Sequence, residues 1–232
     1  MTDRPAKPPS RTTDGATALD DFLSRANAVT AAASGRPRLV FALDATMSRQ
    51  PTWDLAQDLT SRMFAQTPAL AQLDVQLVYF RGFSECRASR FFEGGAGLAR
   101  VMQTINVAGG ATQIGKVLTH VRTETARGKV GALVYIGDAM EENVDRLCRT
   151  AGELGLLGVK AFMFQEGENV AAGRAFRELA RLTGGAYATF DQTAPQKLAG
   201  LLAAAAAYAA GGRAALAKQG GDASALLLAQ IR

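Results

Sequence analysis

Two carboxylates and three hydroxyls stand where short apolar runs of this sequence give out. Asp44, Thr46 and Ser48 follow the run Arg38-Leu39-Val40-Phe41-Ala42-Leu43, Asp138 follows the run 131–136, and Thr112 lies behind Gly109-Gly110. All five offer oxygen and none offers nitrogen or sulfur. That donor set suits a hard cation such as Mg2+, which takes octahedral oxygen at about 2.0–2.1 Å and keeps several waters. A spacing of two along an irregular loop lets Asp44, Thr46 and Ser48 turn toward one point. Taken singly, Asp44, Thr46 and Asp138 read better as helix caps. Taken together, on three loops of one sheet edge, the five read as a divalent-cation site.

The elements that must position these residues alternate along the chain. Short apolar runs at 38–43, 75–80, 131–136, 159–164 and 186–190 read as strands, and the continuous runs are those of strands buried on both faces. A further strand at 85–92 follows a short Arg81-Gly82 connection and suits an antiparallel hairpin. Helices are expected at 51–66, with Pro51 in the first turn, and at 97–105, 112–127, 141–156, 173–182 and 195–210. The alternation predicts an α/β fold, a Rossmann-like three-layer sandwich. Its central sheet is mostly parallel and six-stranded, with one antiparallel edge strand and helices on both faces. Ligands of such sheets sit at the carboxyl ends of the strands, where the five oxygen donors fall.

Composition sets the outer bounds. A chain of 232 residues allows one large domain with extensions, or at most two small ones. Residues 1–15 are polar and Pro-rich and read as a disordered arm. Residues 16–35 read as an N-terminal helix, with Leu19, Phe22, Leu23, Ala26 and Val29 at helical spacing. The main domain is placed at 36–212. The tail 213–232, behind Gly211-Gly212, carries Leu226-Leu227-Leu228 and Ile231 and either docks on its own domain or contacts a partner.

A single histidine, His120, excludes a His-based metal cage; it falls inside the helix after Thr112 with no paired nucleophile in view. Two cysteines, Cys86 and Cys148, exclude a disulfide framework or a Cys-rich zinc module and read as small buried hydrophobes. Aromatics at 7% give little material for base stacking, and the net charge of +5 is spread without a Lys/Arg block, so no nucleic-acid partner is expected. The first fifteen residues lack an apolar signal region. The longest uncharged apolar run, between Lys197 and Arg213, is shorter than the roughly 20 residues of a membrane span. No membrane partner is expected, and the expected compartment is the cytoplasm.

Asp44-x-Thr46-x-Ser48, then Gly-Gly-x-Thr112 leading a helix, then a buried strand ending in Asp138, resembles the von Willebrand factor type A (VWA) family. These residues match its metal-ion-dependent adhesion site (MIDAS), whose motif is D-x-S-x-S with a separate threonine and aspartate. The resemblance covers about residues 36–210. Thr46 replaces the first serine and keeps the hydroxyl; Ala139 stands where the family often has glycine. The resemblance implies that Asp44, Thr46, Ser48 and Thr112 hold Mg2+ or Mn2+ directly or through water, and that Asp138 completes the shell. It also implies an open coordination position for an Asp or Glu of a partner protein, so that the module binds and does not catalyse. Similar bacterial domains work beside AAA+ ATPases or in stress-response assemblies, which is analogy alone. Glu141 and Glu142 sit at the rim of this site or favour a helix N-terminus.

Three other readings bear on the same residues. The segment from Gly110 to Lys116 has the spacing of a phosphate-binding loop, but Val117 stands where Ser or Thr should be and a helix precedes it. A haloacid-dehalogenase-type phosphatase would use Asp44, Thr46, Asp138 and Glu142 with Lys116 or Lys129, but leaves Ser48 and Thr112 without a role. A scaffold of the same fold with no metal is the third.

Overall fold

Alternating side chains divide each central strand between two helical layers. Residues 35–49, 53, 57, 61, 67–191 and 195–232 are described in this computed structural model. The expected arm at 1–15 and most of the helix at 16–35 lie outside the described residues. Of the helix expected at 51–66, only Trp53, Gln57 and Ser61 are described, and all three are helical.

The strands are β1 (Arg38–Asp44), β2 (Asp74–Arg81), β3 (Glu85–Ala88), β4 (Phe92–Glu93), β5 (Val130–Gly137), β6 (Lys160–Glu166) and β7 (Ala186–Phe190). The sheet order is β3-β2-β1-β5-β6-β7, with β4 also paired to β2. All pairs are parallel except those of β3 and β4 with β2. The sheet therefore has seven strands among the described residues, where six were expected. The extra one arises because the single strand expected at 85–92 breaks at Ser89. The Ser89 hydroxyl accepts the Leu77 N–H at 3.0 Å and donates to the Arg90 carbonyl at 2.7 Å, competing with the ladder.

The helices are α1 (Ala96–Met102), α2 (Ile114–Arg127), α3 (Val144–Leu156), α4 (Val170–Thr183), α5 (Pro195–Gln219) and α6 (Gly221–Leu228). Val40, Ala42, Leu133 and Tyr135 point to one face of the sheet and pack under Ile114, Leu147 and Phe176 of α2, α3 and α4. Leu39, Phe41, Leu43, Val134 and Ile136 point to the other and pack against Leu98 and Met102 of α1 and Leu198, Leu201 and Leu202 of α5. This is the period of two expected of strands covered on both sides.

The helix expected at 195–210 continues to Gln219 through a kink, with Gly211 and Gly212 out of helical geometry and Gly212 at φ +65°. By length and composition α5 is long and apolar enough to cross a membrane, although the uninterrupted run before Arg213 is too short. Its segment from Leu198 to Ala206 is, however, part of the domain core. The tail beyond the kink docks on its own domain: Leu216, Leu227 and Ile231 are buried in the same cluster as β1 and β5. Gln230 then closes the free edge of β7. Its amide accepts the Tyr187 N–H and donates to the Tyr187 carbonyl, both at 3.0 Å. The two cysteines are free thiols, half-buried and packed against the core layer that contains Val40 and Tyr135.

Candidate metal centre

The carboxyl end of β1 carries the first three oxygen donors. Asp44 is fully buried, and its Oδ1 accepts the Thr46 N–H at 2.8 Å. Thr46 Oγ1 lies 3.0 Å from Ser48 Oγ. Thr46 is buried and Ser48 is exposed, so the three residues form a line from the core to the surface. Thr46 also bridges Ala108, whose N–H bonds the Ala45 carbonyl at 3.1 Å. That contact draws the segment before Thr112 against the Asp44 loop.

Thr112 is set in place by the hairpin between β2 and β3. Gly82 occupies the left-handed region at φ +61°, and Gly110 comes so close that a Cβ there would lie 2.0 Å from the Gly82 carbonyl oxygen. The Ala111 N–H bonds that carbonyl at 3.2 Å. The Gln113 side-chain amide donates to the carbonyls of Arg81, Gly82 and Glu85 at 3.1–3.2 Å. Thr112 itself is buried. Its N–H donates to Glu141 Oε2 and its Oγ1 accepts the Glu141 N–H, each at 3.1 Å.

Glu142 is a helix cap, but of a helix 28 residues earlier in the chain. Its carboxylate accepts the N–H groups of Ile114 and of Gly115, the latter at 2.9 Å. Those are orphan donors of the first turn of α2, whose own N-cap residue Gln113 makes no capping bond. A carboxylate thus occupies the place where a phosphate-binding loop would seat its anion. Lys116 is turned away to the Ser84 carbonyl at 2.9 Å and Gln113 Oε1 at 2.7 Å. His120 is half-buried, with Nε2 2.8 Å from Gln76 Oε1.

Asp138 stands just beyond β5, next to β1 in the sheet. Asp44 Oδ2 and Asp138 Oδ1 are both buried and have no hydrogen-bond partner among the described residues. Burial pushes the Asp44 carboxyl up to about 6; the Thr46 hydrogen bonds and Arg49 pull it down, and the charge of Asp138 pushes it up again. Two acids that repel, with inner oxygens unbonded and hydroxyls beside them, fit a hard cation. No group of three His, Cys, Asp or Glu residues forms a ligand cluster among the described residues, so the hydroxyls are essential to any site here.

The folded Asp44 carboxyl therefore titrates near 6 and the unfolded one at its ordinary value of 3.8. Its ionisation opposes folding of the metal-free protein above that interval, and the penalty is relieved as pH falls from about 6 toward 4. Asp44→Asn is expected to stabilise the metal-free protein at pH 7 by about 1 kcal/mol, since the amide is still a buried polar group. Urea melts at pH 7 and pH 4.5 test this, the gain shrinking at the lower pH.

Two further residues brace the site, Arg49 and Glu166, and neither carries a local signal in the sequence. Arg49 is 1% exposed, donates from Nε to Glu166 Oε2 at 2.8 Å and from a terminal nitrogen to the Asp44 carbonyl at 2.9 Å. It ties the Asp44 loop to the end of β6. An arginine one residue past the D-x-T-x-S pattern gives no sign of being buried; only the tertiary fold supplies its partner.

No protein-family model matches the chain, and no curated protein matches it by sequence. Solved structures do. The SpRpn10 VWA domain aligns with TM-score 0.55 at 11% identity over 69% of this chain and 94% of its own. The ArnB paralog VWA2 from Sulfolobus acidocaldarius gives 0.53 at 16% identity, over 72% of this chain and 45% of its own. Proximal thread matrix protein 1 from the mussel byssus, with a zinc-occupied MIDAS motif, gives 0.58 at 14% identity, over 73% and 46%. The fold is that of a VWA domain. On this VWA fold, Asp44, Thr46, Ser48, Thr112 and Asp138 all fall at the carboxyl edge of the parallel strands. The chain spans nearly all of the SpRpn10 domain but less than half of the other two proteins.

Proposed function

We propose that this VWA fold is a protein-binding module whose recognition site contains a divalent cation, and that it is not an enzyme. The observation that carries this reading is the pair of buried, unpartnered oxygens on Asp44 and Asp138 at the head of the Thr46–Ser48 hydroxyl line. Asp44, Thr46, Ser48 and Thr112 would hold Mg2+ or Mn2+, directly or through water, with Asp138 completing the shell. When bound, the cation supplies positive charge and an open coordination position to an Asp or Glu of the partner. A MIDAS motif occupied by zinc in the mussel protein, which shares this fold, supports metal binding here.

The rim supports a macromolecular partner. Met47 is 50% exposed, Phe83 86% and Val170 67%, and Val144 is exposed as well. Met47 follows β1, Phe83 follows β2, and Val144 and Val170 begin the helices after β5 and β6. By topology all four stand at the carboxyl edge. Apolar side chains around a charged centre match the make-up of a protein interface, where aromatic and Met side chains are enriched.

Calorimetric titration with Mg2+ and Mn2+ tests the reading, alongside a phosphomonoester assay. Wild type is expected to bind without turnover. Thr46→Val, which keeps the shape and deletes the oxygen, is expected to bind about tenfold more weakly or worse, and Asp44→Ala not at all. Turnover abolished by Asp44→Asn would make the protein a phosphatase instead. Absence of binding in wild type with partner supplied would leave a metal-free scaffold. Mg2+-dependent capture of a partner, eluted by chelator and reduced by Phe83→Ala, would extend the reading to the rim.

A further inference from the structure

Positive charges that lie scattered in the sequence are gathered by the packing of two helices. α2 and α3 lie side by side, and both begin at the carboxyl edge of the sheet. An open groove of about 1130 Å³ runs along them. Five cations line it: Lys116, Arg122 and Arg127 from α2, Arg146 and Arg149 from α3. Leu147 is the one apolar side chain among its described lining residues, and no Phe, Tyr or Trp is among them. An apolar helix has almost nothing to grip there.

The acids of the groove are already engaged. Glu124 accepts from Arg38 at 3.0 Å and from Arg127 at 2.8 Å. Glu153 is paired with Arg122 across the two helices. Glu142 caps the first turn of α2. Arg146 and Arg149 are exposed and three residues apart, hence on one face of α3. Neither makes an ion pair among the described residues. Lys116 reaches only neutral oxygens, those of Ser84 and Gln113. Three cations are thus left without an acid. The groove opens beside the cation site. Gly115 and Glu142 line its upper end, and Glu141, next to Glu142, is the residue bonded to Thr112. From Gly115 to Arg127 α2 rises about 18 Å, a length that an extended chain spans in about six residues.

We propose that this groove takes an acidic, extended segment of the partner protein, which continues from the carboxylate on the cation and sets further Asp or Glu side chains against Arg146, Arg149 and Lys116. The start of that path rests on the cation-binding reading above; the charge of the groove does not. A basic track beside a ligated carboxylate selects partners whose acids come in a run, and its field speeds their encounter. Nucleic acid carries the same sign of charge, but the groove lacks the Phe, Tyr or Trp platform on which bases stack.

The test is fluorescence anisotropy of the full chain with labelled peptides of about eight residues, enough to span the groove. One alternates Glu and Ser, a second Gln and Ser, and a single-stranded DNA of similar length is the third probe. Each is titrated in Mg2+ and in chelator. Wild type is expected to prefer the Glu peptide and to bind it more tightly in Mg2+. Arg146→Glu with Arg149→Glu is expected to weaken that binding about tenfold or more in both buffers, and Arg146→Gln with Arg149→Gln by a smaller factor. Arg100→Glu with Lys218→Glu makes the same change of net charge on the opposite helical layer. It is expected to stay within about twofold of wild type, because the charges lie beyond the screening length. All three variants alter exposed side chains and are expected to melt near wild type. Unchanged affinity in both Arg146 and Arg149 variants, with the Mg2+ effect intact, overturns this inference alone. Equal weakening in the Arg100 and Lys218 variant also overturns it, since net charge would then be the cause, as does a wild type that does not bind the Glu peptide. Binding that falls with the reversed arginines but ignores Mg2+ overturns the cation reading and keeps the groove. DNA bound more tightly than the Glu peptide, and lost in the reversed variant, overturns the protein partner in favour of a nucleic acid.

Discussion

Truncation after Gly212 is expected to cost about 5 kcal/mol or more, enough to leave most of the chain unfolded at room temperature. The cut removes Leu216, Leu227 and Ile231, all buried in the core layer that covers β1 and β5. Each such side chain stabilises by about 1.5–3 kcal/mol when fully buried, an upper range because the unfolded chain is itself partly collapsed. It also removes the Lys160 bond to the Arg232 carbonyl at 2.9 Å and the Arg213 bond to the Ile231 carbonyl at 2.6 Å. Urea unfolding followed by circular dichroism measures the loss. Leu216→Ala alone is expected to take about 2–5 kcal/mol by the cavity it leaves. An unchanged midpoint in the truncated chain would show that the tail contributes nothing to the core.

Glu166→Ala is expected to cost about 3–5 kcal/mol, because it leaves the Arg49 guanidinium buried without its carboxylate. The side chains are 1% and 7% exposed, and the shorter contact is 2.7 Å. Solvent cannot take over the role of the lost acid at that depth. Replacing both residues, as Arg49→Met with Glu166→Leu, is expected to recover most of the loss, since an apolar pair of similar volume carries no desolvation cost. The double variant still lacks the bond from Arg49 to the Asp44 carbonyl. It is therefore expected to fold while binding Mg2+ more weakly. Chemical denaturation of the two single variants and the double gives the coupling directly. A single variant as stable as wild type would contradict the assignment.

The parts of this molecule that could be read from the sequence are those whose signal is local. β1, β5 and β6 are buried on both faces, so Leu39–Leu43, Ala132–Ile136 and Ala161–Phe164 show as unbroken apolar runs. Asp44, Thr46 and Ser48 are legible because one short loop spaces them, and Asp138 because it ends an apolar run. The rest depends on contacts between distant segments. Glu142 looks like an acid opening its own helix, yet it caps α2. Ser89 interrupts the edge strand through its hydroxyl, a competition that β-propensity does not register. Gly110 reads as a turn residue, whereas its constraint is the Gly82 backbone against it. The tail pattern fits a partner surface as well as the domain's own core; packing places it in the core.

The amide of Gln230 gives the sheet a terminus. β7 is the outermost strand on its side among the described residues, and at Tyr187 its outward N–H and carbonyl already hold a donor and an acceptor from one side chain. An open row of backbone groups is a template for another chain. Here a single glutamine stands in for a neighbouring strand at the register where pairing would start. A second copy arriving edge-on would have to evict both bonds before gaining its first. At this register the edge of β7 is blocked by prior occupancy, by one side-chain amide rather than by a neighbouring strand.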